Sequence, residues 1–108
     1  MASFTLHDLA ARVKERAQAS ADVSYTRKLI DRGIAHCAKK LGEEAVEVAI
    51  AALVQDDKAL IGETADMLYH LLVLLESRDV SLDDVLAELE RRMALTAVGQ
   101  KRQKAASR

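Results

Sequence analysis

Apolar residues recur along this chain at three- and four-residue intervals, the spacing that places them on one side of an α-helix. Leu6, Leu9, Ala10 and Val13 form the first such stripe. Thr5 stands ahead of it as an N-cap, with Asp8 three residues on as in a capping box, and the stripe fades around residues 19–22. Ser24 caps a second segment through Leu29 and Ile30 to Gly33, which either ends a short helix or forms a joint within a longer one. A third segment extends to about Gln55. Asp56 or Asp57 caps a fourth, from Lys58 to about Ser77, and a turn follows at 78–80. Ser81 then caps a last helix, with Asp83 and Asp84 in its first turn, where carboxylates favour the helix dipole. That helix carries Leu82, Val85, Leu86, Leu89 and Met93 on one side and is expected to fray near Gly99. The pattern predicts an all-α bundle of four to five helices.

Two of the segments are apolar on more than one side. At about 100° per residue, Ile34, Leu41, Ala45, Val48 and Ala52 line one face of the third helix, while Val46, Ile50 and Leu53 line much of the opposite face. In the fourth, Met67, Leu68, Leu71, Leu72, Val73, Leu74 and Leu75 surround nearly the whole circumference. A helix that is apolar all round is a buried helix. A chain of 108 residues can hardly bury two of them alone, so the bundle is expected to be completed by homodimerisation.

Composition strengthens the helical reading. Ala and Leu, among the best helix formers, dominate the apolar half of the chain, and there is no proline to break a helix. The net charge of −1 argues against a nucleic-acid binder. Residues 101–108 carry four of the 16 basic side chains and none of the 17 acidic ones, which leaves residues 1–100 at −5. The expected division is therefore an all-α domain over 1–100 and a basic, flexible tail over 101–108. The single cysteine, Cys37, excludes an intramolecular disulfide and suits a reducing compartment; between Ile34 and Leu41 it reads as a small buried hydrophobe. No secretory leader is apparent, and the most apolar run, Met67 to Leu75, is far short of the roughly 20 residues of a membrane span. A cytoplasmic protein with no membrane partner is expected.

The chemistry lies where the two apolar helices are interrupted, at Gly42-Glu43-Glu44-Ala45-Val46-Glu47 and at Glu63-Thr64-Ala65-Asp66. Residues three apart share a helical face, so Glu44 and Glu47 point together, with Glu43 at the margin, and Glu63 and Asp66 point together. An unpaired buried charge is costly, and no basic residues interleave with these acids. A divalent cation is the simplest compensation. Oxygen ligands without His or Cys favour Mg2+, with Mn2+ as a substitute, over zinc. Solvent-facing salt bridges remain an alternative reading of the pattern by itself. A carboxylate-held Mg2+ suits phosphate hydrolysis, because it neutralises phosphate charge and acidifies a bound water, and a carboxylate free of metal can act as general base.

Three segments resemble the phosphoribosyl-ATP pyrophosphohydrolase family. They are Ser24-Tyr25-Thr26, Lys40-Leu41-Gly42-Glu43-Glu44-Ala45-Val46-Glu47, and the run from Glu63 to Leu74 that contains Asp66-x-x-Tyr69-His70. Glu88, Leu89 and Arg92 fit as well. The broader group is the MazG-like all-α nucleotide pyrophosphohydrolases, marked by Glu-Glu-x-x-Glu followed by Glu-x-x-Asp, here with 15 residues between Glu47 and Glu63. The resemblance implies Mg2+-dependent hydrolysis of phosphoribosyl-ATP to phosphoribosyl-AMP and pyrophosphate, the second step of histidine biosynthesis, by a homodimer. Carried over by position, Glu44, Glu47, Glu63 and Asp66 hold metal and Glu43, Glu44 and Glu47 serve catalysis. Lys40, His70 and Arg92 are candidates for substrate contacts. A salt bridge to Glu44 competes for Lys40, a core-packing role for His70 and a surface role for Arg92. The next step, a cyclohydrolase in some chains of this kind, is expected to belong to a separate protein.

Three rivals make different predictions. A MazG-like housecleaning enzyme would use the same metal site on ordinary or noncanonical nucleoside triphosphates. A di-iron bundle requires Glu-x-x-His on two helices, and this chain lacks it. A non-enzymatic helical adaptor would tolerate loss of Glu47 or Asp66.

Overall fold

The computed structural model describes the backbone of residues 3–107 and the side-chain surroundings of residues 3–95. Five helices follow one another: α1 (Leu6–Ala17), α2 (Tyr25–Asp31), α3 (Ile34–Val54), α4 (Asp57–Ser77) and α5 (Leu82–Ser107). Among the described residues there is no strand. The all-α expectation holds, and the second and third segments are separate helices.

Caps account for most of the boundaries. Thr5 and Asp8 complete a reciprocal capping box at the start of α1. The Ser24 hydroxyl accepts from the Arg27 N–H at 3.0 Å to start α2, and Asp56 accepts from Ala59 N–H at 2.9 Å to start α4. Ser81 accepts from Asp83 N–H at 3.0 Å ahead of α5. Gly33 resolves the ambiguity between α2 and α3. Its φ of +101° and ψ of 164° lie in a region open essentially to glycine alone, so the chain turns there and starts α3 without a side-chain cap. Backbone helix continues past Gly99, where fraying was expected, to Ser107. Residues 101–107, within the segment expected as a flexible tail, continue α5 as backbone helix, and residue 108 lies outside the described ones.

Two residues, Gln55 and Asp56, join α3 to α4, and such a short link returns the chain as an antiparallel helical hairpin. This hairpin is the spine of the fold. Its open end carries the core: Val13 of α1, Leu29 of α2, Cys37 of α3 and Leu72 and Val73 of α4 form one buried cluster. Cys37 is 1% exposed and its thiol donates to the Leu29 carbonyl at 3.3 Å. Burial pushes this thiol's pKa up, which keeps it protonated and inert. The expected role as a small hydrophobe fits.

The closed end of the hairpin is bare. Val46, Ile50, Leu53 and Val54 of α3 and Ile61 of α4 are all exposed, Leu53 by 83%. Of α3 only Cys37 and Ala51 are buried, so this helix is not the internal one its composition suggested; the flanking helices α1 and α2 reach only its first half. On α4, by contrast, His70, Leu72 and Val73 are buried and Met67, Leu68, Leu71, Leu74 and Leu75 are partly covered. The radius of gyration is 17.4 Å, against about 13 Å for a compact chain of this length.

Candidate metal centre

The antiparallel hairpin runs the Glu44–Glu47 turn of α3 alongside the Glu63–Asp66 turn of α4, where the covered half of the hairpin meets the bare half. There the carboxylate oxygens of Glu44, Glu63 and Asp66 all lie within 4.8 Å of one another, with Glu44 and Glu63 partly buried and Asp66 exposed. Glu47 is exposed and stands outside this group of three. Its charge nevertheless reaches the group. The Glu63 carboxyl is held above its ordinary pKa first by burial and then by Glu47, Asp66 and Glu44, in that order.

Three carboxylates therefore converge, within reach of the charge of a fourth, with little protein charge to balance them. Among the described residues Glu47, Glu63 and Asp66 make no ion pair, and Glu44 has only distant partners: Lys40 Nζ at 3.9 Å and His70 Nε2 at 3.8 Å. Both separations exceed hydrogen-bond length. Glu43 faces Lys40 at 3.8 Å rather than the group of three. A shared Mg2+ at about 2.1 Å from each ligand holds its oxygens roughly 3–4.2 Å apart. The observed oxygens, all within 4.8 Å of one another, stand close to that spacing. The donor set, all carboxylate oxygen and partly open to water, fits a hard divalent cation.

Lys40 and His70 border the set on the side of the core. His70 is 7% exposed, and burial lowers its pKa despite the opposing charge of Glu44, so the imidazole is largely neutral at pH 7. Behind it, Tyr69 shares a hydrogen bond with Thr26 at 2.5 Å, tying α4 to α2, and stacks on Tyr25 with ring centroids 6.5 Å apart. Tyr69 thus belongs to the packing. The Thr26 bond was not foreseen, because it joins residues 43 apart in the chain. His36, one turn before Lys40, was also passed over, although its i, i+4 spacing from Lys40 is plain in the sequence.

Arg92 is on α5, which packs sparsely on the other helices. Its Nε donates to Glu88 Oε2 at 2.8 Å, and Arg91 forms a second pairing to Glu88. Together they hold the Glu88 carboxyl down at about 2. No hydrogen bond or ion pair joins Arg92 to the acidic set among the described residues. A cavity between α1, the end of α4 and the start of α5, bordered by His7, Lys14, Glu76 and Asp83, gathers no cluster of metal ligands among the described residues. Its His7 and Asp83 are already paired at 2.7 Å.

Fold and site together define an all-α protein that carries, on a helical hairpin, a carboxylate-only cluster able to hold a divalent cation. The chain belongs to the phosphoribosyl-ATP pyrophosphohydrolase family, whose sequence profile matches residues 6–93. It is 55% identical over 101 residues to phosphoribosyl-ATP pyrophosphatase 1 of Rhodopseudomonas palustris, covering 94% of each chain. It is 54% identical over 101 residues to phosphoribosyl-ATP pyrophosphatase of Nitrobacter winogradskyi, covering 94% of this chain and 87% of that one. Over 88 residues it is 61% identical to the Azorhizobium caulinodans protein of the same name, covering 82% and 81% respectively.

Proposed function

We propose that this protein hydrolyses phosphoribosyl-ATP to phosphoribosyl-AMP and pyrophosphate with Mg2+, as the second step of histidine biosynthesis in the reducing cytoplasm. The observation that carries the reading is the convergence of Glu44, Glu63 and Asp66, with basic groups only at 3.8 and 3.9 Å from Glu44, in a member of this family. These three hold the cation, and Glu47 stands next to Glu63 outside them. When bound, Mg2+ neutralises triphosphate charge and lowers the pKa of water. Glu47, outside the group of three, is the carboxylate best placed to accept a proton from the attacking water. Glu43 supports the set through Lys40, and Lys40 offers an ammonium to a substrate phosphate. Neutral His70 orients Glu44 or a water beside it.

A homodimer is part of this reading. The bare half of the hairpin exposes five large aliphatic side chains, each stabilising by about 1.5–3 kcal/mol when buried. A second copy of the same hairpin covers them by an isologous contact. Helix α5, with Leu89 and Met93 also exposed, is available to the same contact.

Turnover tests the assignment. Purified protein with Mg2+ should release pyrophosphate from phosphoribosyl-ATP and lose this activity in chelator. A strong preference for ordinary nucleoside triphosphates in the same assay would transfer the site to the housecleaning reading. No helix among the described residues is long and apolar enough to cross a membrane.

A further inference from the structure

Beside the acidic set, the charge along α3 reverses. The nine residues 32–40 contain Arg32, His36, Lys39 and Lys40 and no acid. The acid just before them, Asp31, is taken by Arg27 at 2.7 Å and leaves Arg32 uncompensated. Residues 36, 40 and 44 are successive i, i+4 positions, so His36, Lys40 and Glu44 lie on one helical face about 6 Å apart along the axis. Lys40 is only 27% exposed, yet its nearest acids stand at 3.8 and 3.9 Å, and no hydrogen bond engages its ammonium among the described residues. His36 is partly buried; burial and then the charges of Arg32, Lys39 and Lys40 hold its pKa down, against the opposing charge of Glu43. His70 borders the same ground from α4, with Lys40 and His36 both acting on it. The result is a surface with two electrostatic ends, acidic at Glu44, Glu63 and Asp66 and cationic one to two turns away.

A substrate that needs both ends has two phosphate groups of different kinds. A triphosphate brings its own cation to the carboxylates. A phosphate monoester elsewhere on the same molecule brings none, and requires positive groups from the protein. We propose that His36 and Lys40, with Arg32 at the rim, form the subsite for the monoester phosphate of the phosphoribosyl group, and that this subsite separates phosphoribosyl-ATP from ordinary nucleoside triphosphates. The proposal rests on the substrate assigned above. His36 and Arg32 act in binding, apart from the reacting phosphorus.

The variants Arg32→Ala, His36→Ala and their double combination test it, because neither residue belongs to the metal centre. With Mg2+-loaded protein, each single change should raise KM for phosphoribosyl-ATP about 10- to 100-fold, the worth of a charge-assisted hydrogen bond, while kcat stays within about twofold. His36→Lys should restore most of the affinity. In a second measurement, the His36 imidazole resonances of the native protein should move on titration with ribose 5-phosphate and stay still with ribose. An unchanged KM in the double variant, a fall in kcat without a change in KM, or a His36 signal indifferent to ribose 5-phosphate each overturns the subsite. If the native protein fails to hydrolyse phosphoribosyl-ATP at all, the substrate assignment falls instead, and the ribose 5-phosphate titration still decides whether the face binds a monoester.

Discussion

Glu63 states the logic of the centre most clearly. Its carboxyl lies near three others, and both burial and those like charges favour the protonated form. The folded pKa is therefore above the unfolded one, so the native state binds the proton more tightly. Metal-free protein gains stability from this group as pH falls toward the folded pKa, and loses it as pH rises through the interval above 4.5. Glu63→Gln should consequently unfold at higher temperature than the native protein at pH 7 without metal, by a margin that shrinks toward pH 4. In saturating Mg2+ the order should reverse, since binding to the native state alone stabilises it. Thermal melts at the two pH values, with and without the ion, would show an unchanged margin if the acids were ordinary surface groups. Asp66→Asn should retain the fold and lower pyrophosphate release by at least about 100-fold. Retention of full activity would remove Asp66 from the ligand set.

At the scale of elements, the joint between α2 and α3 matters most, because it ends one helix and sets where the hairpin's first helix begins. An added Cβ at Gly33 meets nothing within 4 Å, so Gly33→Ala costs only backbone strain, about 1–3 kcal/mol at such a φ and ψ. The melting temperature should drop by about 4 °C or more; no drop would mean that the joint relaxes to ordinary helix. In α5, the paired arginines depress Glu88 to about 2. A carboxylate NMR titration should place its midpoint near that value at low salt and closer to the ordinary range at high salt, because this pair is solvent-exposed and screened. A midpoint in the ordinary range at low salt would show that Arg92 is not held by Glu88. Caps made these elements legible: Thr5, Ser24, Asp56 and Ser81 act only on neighbours within the chain, and each starts its helix where the sequence places it.

For the molecule as a whole, an extended protomer with a bare hairpin end is the main feature. Size-exclusion with light scattering should give twice the chain mass of 11.8 kDa, and Leu53→Glu should shift the species to monomer, since a buried unpaired charge at a second-copy contact is costly. A monomeric native protein would leave the exposed face of Val46, Ile50 and Leu53 to some other partner.

The sequence by itself determined the helices, their caps and the two acidic pairs, because these depend on interactions within four residues or on side-chain type. It also marked the excess apolar surface of the third helix, since periodicity counts faces without reference to what covers them. Tertiary structure alone decided that Glu44, Glu63 and Asp66 converge while Glu47 stands beside them, and that Thr26 reaches Tyr69. These relations depend on the register of α3 against α4 and the seating of α2 on both. That register comes from packing between residues far apart in the chain, which no local pattern records.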